Sequence, residues 1–146
     1  VTALEAAFHF STREDFFREA YRVLRPGGRL ALADIIPLTA QRHGFRDRVA
    51  EYLGRSFWQI PQGNMYSQDV YVDTLCSVGF ENIEVRSIRQ HVYTPFARYA
   101  RTRLEEPEIV ERLNPILRMM LMTSVWRKAG NDILDYLIVT ADKRRG

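Results

Sequence analysis

Residues 18–34 read REAYRVLRPGGRLALAD, and this stretch decides how everything around it is read. Its first part continues a helix, because Phe16, Phe17, Ala20, Val23 and Leu24 recur at helical spacing and form one apolar face, with Arg18, Glu19 and Arg22 around the rest. Pro26-Gly27-Gly28 ends that helix, since proline cannot continue the hydrogen-bond ladder and glycine accepts the positive φ of a tight turn. RLALADII then stays almost wholly apolar until Asp34, the pattern of a strand covered on both faces, as in a parallel sheet.

Upstream, Val1 to Ala7 reads as the exit of a buried strand. Ser11-Thr12-Arg13-Glu14 fits a capping box, with the serine accepting from the Glu14 backbone N–H. Strand, capped helix, Pro-Gly-Gly turn and strand make a βαβ unit. Downstream, Thr39 to Arg55 has helical character interrupted by Gly44 and Gly54. FWQIPQGNMYS, residues 57–67, mixes aromatic and turn residues and reads as a surface loop or lid over a cavity. Ser67 caps a second helix to Val78, with Asp69 near the positive end of the dipole and Gly79 as the stop. Asn82 to Ile88 reads as a strand, Pro107 to Lys128 as an arginine-rich helical region that Pro115 breaks or kinks, and DYLIVTA beyond Gly130-Asn131 as a final buried strand.

Composition sets the outer limits. A chain of 146 residues is of a size to form one domain with a single core. Its 46% hydrophobic and 27% charged residues are ordinary for a globular protein, and no window is apolar enough to span a bilayer. Cys76 is the single cysteine, which excludes an internal disulfide and a cysteine-based zinc site and fits a reducing, cytoplasmic setting. The start lacks the basic flank of a secretory signal, and Glu5 interrupts its apolar residues. The formal charge of +3 comes from scattered arginines and the tail Lys143, Arg144, Arg145, without the clustering and stacking aromatics of a nucleic-acid face.

ALEAAFHF, the capped helix ending in REAYRVLRPGGRLALAD, LCSVGFENIEV and the closing strand together resemble the C-terminal half of class I S-adenosylmethionine-dependent methyltransferases. The branch they resemble holds the ubiquinone-biosynthesis, sterol and natural-product O-methyltransferases. The likeness is strong over residues 1–36, moderate over 67–91 and a matter of pattern alone over 134–142. It implies an α/β fold in which this chain holds the fourth to seventh strands of a Rossmann-like sheet, the last antiparallel, with flanking helices. It also implies S-adenosyl-L-methionine as cofactor and a small molecule as methyl acceptor. The family's glycine-rich cofactor loop is not in this sequence, which contains no GxGxG. The isolated chain is therefore expected to bind no cofactor and to have no activity of its own.

Ligands of open α/β sheets bind beyond the carboxyl ends of the strands, where His9 and Asp34 are both expected. The resemblance makes them a general-base pair that deprotonates an acceptor hydroxyl, the carboxylate orienting the imidazole. Other readings stand beside it: His9 as a histidine packed between Phe8 and Phe10, and Asp34 as an acceptor ligand or the cap of a turn. Leu4, Glu5 and Phe8 are the candidate cofactor contacts, Glu5 beside the methionine end or else paired with an arginine. Phe57, Trp58, Asn64 and Tyr66 either line an acceptor pocket or anchor their own loop. His43, His91 and Cys76 lack metal-ligand spacing, and Met119, Met120 and Met122 read as core filling.

Two further functions compete. One is a dimerising or partner-binding module, because without the preceding strands the segment from Val1 to Ala7 is an unprotected sheet edge that would pair in a homodimer or swapped assembly. The other, a nucleic-acid domain using the arginines between Arg98 and Arg118, is disfavoured by their scatter.

Overall fold

The computed structural model describes residues 1–38, 52, 55–56, 58–115 and 134–145. Strand β1 (Thr2–Leu4) leads through a 3-10 turn (Ala7–His9) to helix α1 (Arg13–Val23) and strand β2 (Arg29–Pro37). A 3-10 turn (Gln62–Asn64), helix α2 (Gln68–Val78) and strand β3 (Phe80–Ser87) follow. Helices α3 (Arg89–Arg103) and α4 (Pro107–Arg112) precede strand β4 (Leu134–Lys143).

The sheet has the order β1-β2-β4-β3. β1 and β2 are parallel, as a βαβ unit requires, whereas β4 enters between β2 and β3 antiparallel to both. The expected α/β architecture with an antiparallel last strand is therefore present.

Alternation along β2 divides the core into two layers. Leu30, Leu32 and Ile36 pack with Phe17, Ala20, Tyr71 and Leu75 under α1 and α2. Ala33 and Ile35 face the other way, onto Phe8, Ile60, Leu134 and Tyr136. Burial on both faces is what the apolar run RLALADII demanded.

Several boundaries differ from expectation. β1 stops at Leu4 because Glu5 takes a left-handed conformation, φ +50°, which ends the extended run. The helix cap moves one residue on: Thr12 Oγ1 accepts from the Asp15 N–H at 3.1 Å and donates to the Asp15 carboxylate at 2.6 Å, so Thr12 replaces Ser11 and Asp15 replaces Glu14. Asp34 does not end its strand, since pairing with β4 continues to Pro37 opposite Leu134. Ser67 caps α2 as expected, and Gly79 ends it at φ +109° against the Tyr21 ring, a conformation that glycine alone adopts without strain. β3 begins two residues early, at Phe80. In the arginine-rich region the described residues form the short α4. Most of the expected helix over 39–55, together with residues 116–133 including the three methionines, and with His43 and Phe57, lies outside the described residues.

Candidate functional site

The carboxyl ends of the parallel pair carry an exposed polar group. Glu5 leaves the sheet in its left-handed conformation while its N–H still donates to the Ala33 carbonyl at 2.9 Å. A non-glycine residue holds such a conformation only where its surroundings impose it. Here a second restraint acts on the side chain: the Tyr136 hydroxyl donates to Glu5 Oε1 at 2.6 Å. Burial, then that hydrogen bond and the Glu5 charge, push the Tyr136 hydroxyl above its ordinary pKa.

The 3-10 turn then sends neighbouring side chains in opposite directions. Phe8, 1% exposed, enters the second core layer. His9 stays exposed, its ring packed on Phe8 with centroids 4.2 Å apart. Leu4, at 73% exposure, completes the rim. Of the expected cofactor contacts, Leu4 and Glu5 are thus on the surface, and Phe8 supports it from behind.

Asp34 has a different environment. It is fully buried and faces the first core layer, where Arg13 Nε donates to it at 2.8 Å and the Tyr71 hydroxyl at 2.9 Å. The Ile35 backbone N–H adds a third bond at 2.8 Å. Arg13 is itself completely buried, its guanidinium also donating to the carbonyls of Ile35 and Asn64. The rings of Tyr66 and Tyr71 lie 5.2 and 5.5 Å from its guanidinium carbon. Burial works against its charge, but attraction to Asp34 and the hydrogen bond outweigh it, and the Arg13 pKa is raised. Burial and Asp34 likewise push Tyr71 well above its ordinary value.

His9 and Asp34 share no hydrogen bond among the described residues. The carboxylate points to Arg13 and Tyr71, so it holds the α1 N-terminus against β2 rather than orienting an imidazole.

Asn64 is also committed to structure. Its Oδ1 accepts from the Arg13 N–H at 2.9 Å, and its Nδ2 donates to the carbonyls of Phe8 at 3.2 Å and Phe10 at 2.8 Å. It clips the loop to the turn that carries His9. Tyr66 packs beside Arg13 on the first layer, its buried hydroxyl without a hydrogen-bond partner among the described residues. Trp58 packs on the second layer. Tyr66 and Trp58 thus pack on different layers of the core.

Sequence reasoning missed Arg13, Tyr71 and Tyr136. One signal was available: a cation at the first residue of a helix opposes the dipole, so Arg13 needed a carboxylate from elsewhere. The tyrosines carry no such mark, because their partners are distant in sequence. Among the described residues no cluster of His, Cys, Asp and Glu could hold a metal ion, and no helix is long and apolar enough to cross a membrane.

A family profile described as a methyltransferase domain matches residues 1–32. Erythromycin 3''-O-methyltransferase of Saccharopolyspora erythraea is 31% identical over 98% of this chain and 49% of its own length. The chain thus spans about half the length of this curated relative. Among solved structures, phosphoethanolamine N-methyltransferase 2 of Haemonchus contortus, in complex with S-adenosylhomocysteine, superposes with a TM-score of 0.75 at 15% identity, over 99% of this chain and 33% of that one. The cyclopropane synthase MmaA2 of Mycobacterium tuberculosis gives 0.75 at 19% identity, over 97% of this chain and 54% of that one. The four-stranded sheet with its antiparallel closing strand and these matches make the chain similar to part of the class I S-adenosylmethionine-dependent methyltransferases, whose fold it shares.

Proposed function

We propose that this chain forms the acceptor-side part of a methyltransferase that moves a methyl group from adenosylmethionine to a hydroxyl of a small molecule, with His9 as the base. The observation that carries this reading is an exposed imidazole, seated on Phe8, just past the carboxyl end of a parallel strand. The O-methyltransferase named among the relatives supports oxygen as the acceptor atom.

Adenosylmethionine, when bound, supplies a methyl carbon made electrophilic by its sulfonium. Leu4 and Glu5 fit one side of that group: an exposed apolar side chain and a carboxylate already held in place by Tyr136. His9 accepts the hydroxyl proton at a ring nitrogen as the oxygen becomes a nucleophile. Phe8 fixes the ring, and the bond from Asn64 to the Phe8 carbonyl fixes the turn. Trp58 offers an apolar wall to the acceptor. Asp34 acts on none of these groups directly; it keeps α1 and the Asn64 loop in register through Arg13.

In the methyltransferase carrying this chain, His9→Ala should lower kcat about a hundred- to ten-thousandfold, the range for a positioned base, with affinity for adenosylhomocysteine unchanged. Undiminished turnover would remove His9 from the chemistry. Residues 1–146 alone should show no tight binding of adenosylhomocysteine by isothermal titration, because Leu4 and Glu5 provide only one side of the site. A micromolar dissociation constant would contradict that.

A second reading is a non-catalytic pairing module. Its support is the outer edge of β1, which is hydrogen-bonded to β2 on one side and to no other strand among the described residues.

A further inference from the structure

Asn64 is completely buried and commits its whole side-chain amide to one short stretch of chain, residues 8–13. That stretch contains two helix ends, and helix ends leave backbone groups without partners. The turn Ala7–His9 is closed by two bonds, from the His9 N–H to the Ala6 carbonyl at 3.0 Å and from the Phe10 N–H to the Ala7 carbonyl at 3.4 Å. The carbonyls of Phe8 and Phe10 therefore need donors from elsewhere. Arg13 opens α1, so its N–H needs an acceptor from outside the helix. A carboxamide, with two N–H donors and an acceptor oxygen, supplies all three. Nδ2 donates to the Phe8 and Phe10 carbonyls at 3.2 and 2.8 Å, and Oδ1 accepts from the Arg13 N–H at 2.9 Å.

The two carbonyls so held are those on either side of His9. A 3-10 turn of three residues has poorer hydrogen-bond geometry than an α-helix and little rigidity of its own. The imidazole is exposed and, among the described residues, makes no hydrogen bond. Its direction is set by contact with the Phe8 ring, centroids 4.2 Å apart, and by the backbone that Asn64 grips before and after it. The amide is in turn fixed from behind: the Arg13 guanidinium donates to the Asn64 carbonyl, and the Asn64 N–H donates to the Pro61 carbonyl at 2.9 Å.

We propose that Asn64 is a positioning residue for His9, aiming the imidazole through the two carbonyls that flank it. As the device that aligns the base this rests on the function proposed above; as the restraint on the ring it stands without it. Asn64→Asp is the discriminating variant, because it keeps the shape and the acceptor for the Arg13 N–H while setting a carboxylate against two carbonyls. In the methyltransferase carrying this chain it should lower kcat about ten- to a hundredfold, the cost of a misplaced reacting group, with KM and affinity for adenosylhomocysteine unchanged. In a His9→Ala background it should lower kcat no further, since residues that act through one another are not additive. An equal fall in both backgrounds would overturn the proposal. A second measurement reads the ring itself. In enzyme with labelled histidine, the ring resonance missing from His9→Ala identifies residue 9, and Asn64→Asp should move it from the value that Phe8 imposes toward that of free histidine. An unmoved resonance would likewise overturn the proposal. Asn64→Ser, which keeps one donor in place of two, takes the place of Asn64→Asp if that variant does not fold, and should give the same pattern at smaller size. Failure of the base assignment shows separately, as undiminished turnover by His9→Ala, and the resonance still decides whether Asn64 holds the ring.

Discussion

Asp34 receives donors from Arg13, Tyr71 and the Ile35 backbone in a fully buried setting. Removing one partner of such a pair leaves an uncompensated charge in the interior. Asp34→Asn should therefore cost about 3–5 kcal/mol of stability in urea denaturation, the range for breaking a buried pair. A loss below about 1 kcal/mol, the size of an exposed pair, would show that water reaches Arg13. The residue itself was legible, as a carboxylate set in an apolar run. Its role was not, because a strand-end base, a turn cap and a buried anchor call for the same side chain. Glu5 is similar: an acid in an apolar stretch signals a partner, but Tyr136 rather than an arginine supplies it.

The helices and strands were legible in proportion to how local their signals are. Ser67 and Gly79 bracket α2 as read, and Pro26-Gly27-Gly28 separates α1 from β2. Ser11 and Thr12 are adjacent hydroxyls, and the choice of Thr12 depends on where the chain leaves the preceding 3-10 turn. α3 was not foreseen, since Pro95 and scattered arginines blur its periodicity. The β2–β4 pairing carries its own staple, a bidentate contact in which Arg29 donates to Asp142 at 2.7 and 3.0 Å. Those hydrogen bonds hold the Asp142 pKa below its ordinary value. The folded form thus binds that proton less tightly than the unfolded chain, so the contribution is present at neutral pH and fades as pH falls below about 4. Asp142→Asn should lower Tm at pH 7 and have a smaller effect near pH 3. Equal losses at both would mean that charge is not the source.

Across the molecule, the sheet has two outer strands, β1 and β3, each paired on one side among the described residues. β4 is enclosed by β2 and β3, whereas β1 is short, paired on one side among the described residues, and bordered by exposed Val1, Leu4 and Phe10. Open strand edges recruit other strands. Residues 1–146 alone should therefore sediment as a dimer or larger at micromolar concentration, and Leu4→Lys, which places a charge on the edge, should shift them to monomer. A monomer in both would remove the pairing reading and leave the enzyme reading untouched. What was written in the chain itself was the order of strand, capped helix, Pro-Gly-Gly turn and buried strand, because caps, turns and apolar runs act within a few residues. What only the folded molecule decided was which polar groups meet. Asp34 finds Arg13 21 residues away and Tyr71 37 away, Asn64 reaches Arg13 across 51, and Tyr136 reaches Glu5 across 131. Separations of that size have no periodicity to betray them, and it is the parallel pairing of β1 with β2 and the antiparallel entry of β4 that close them.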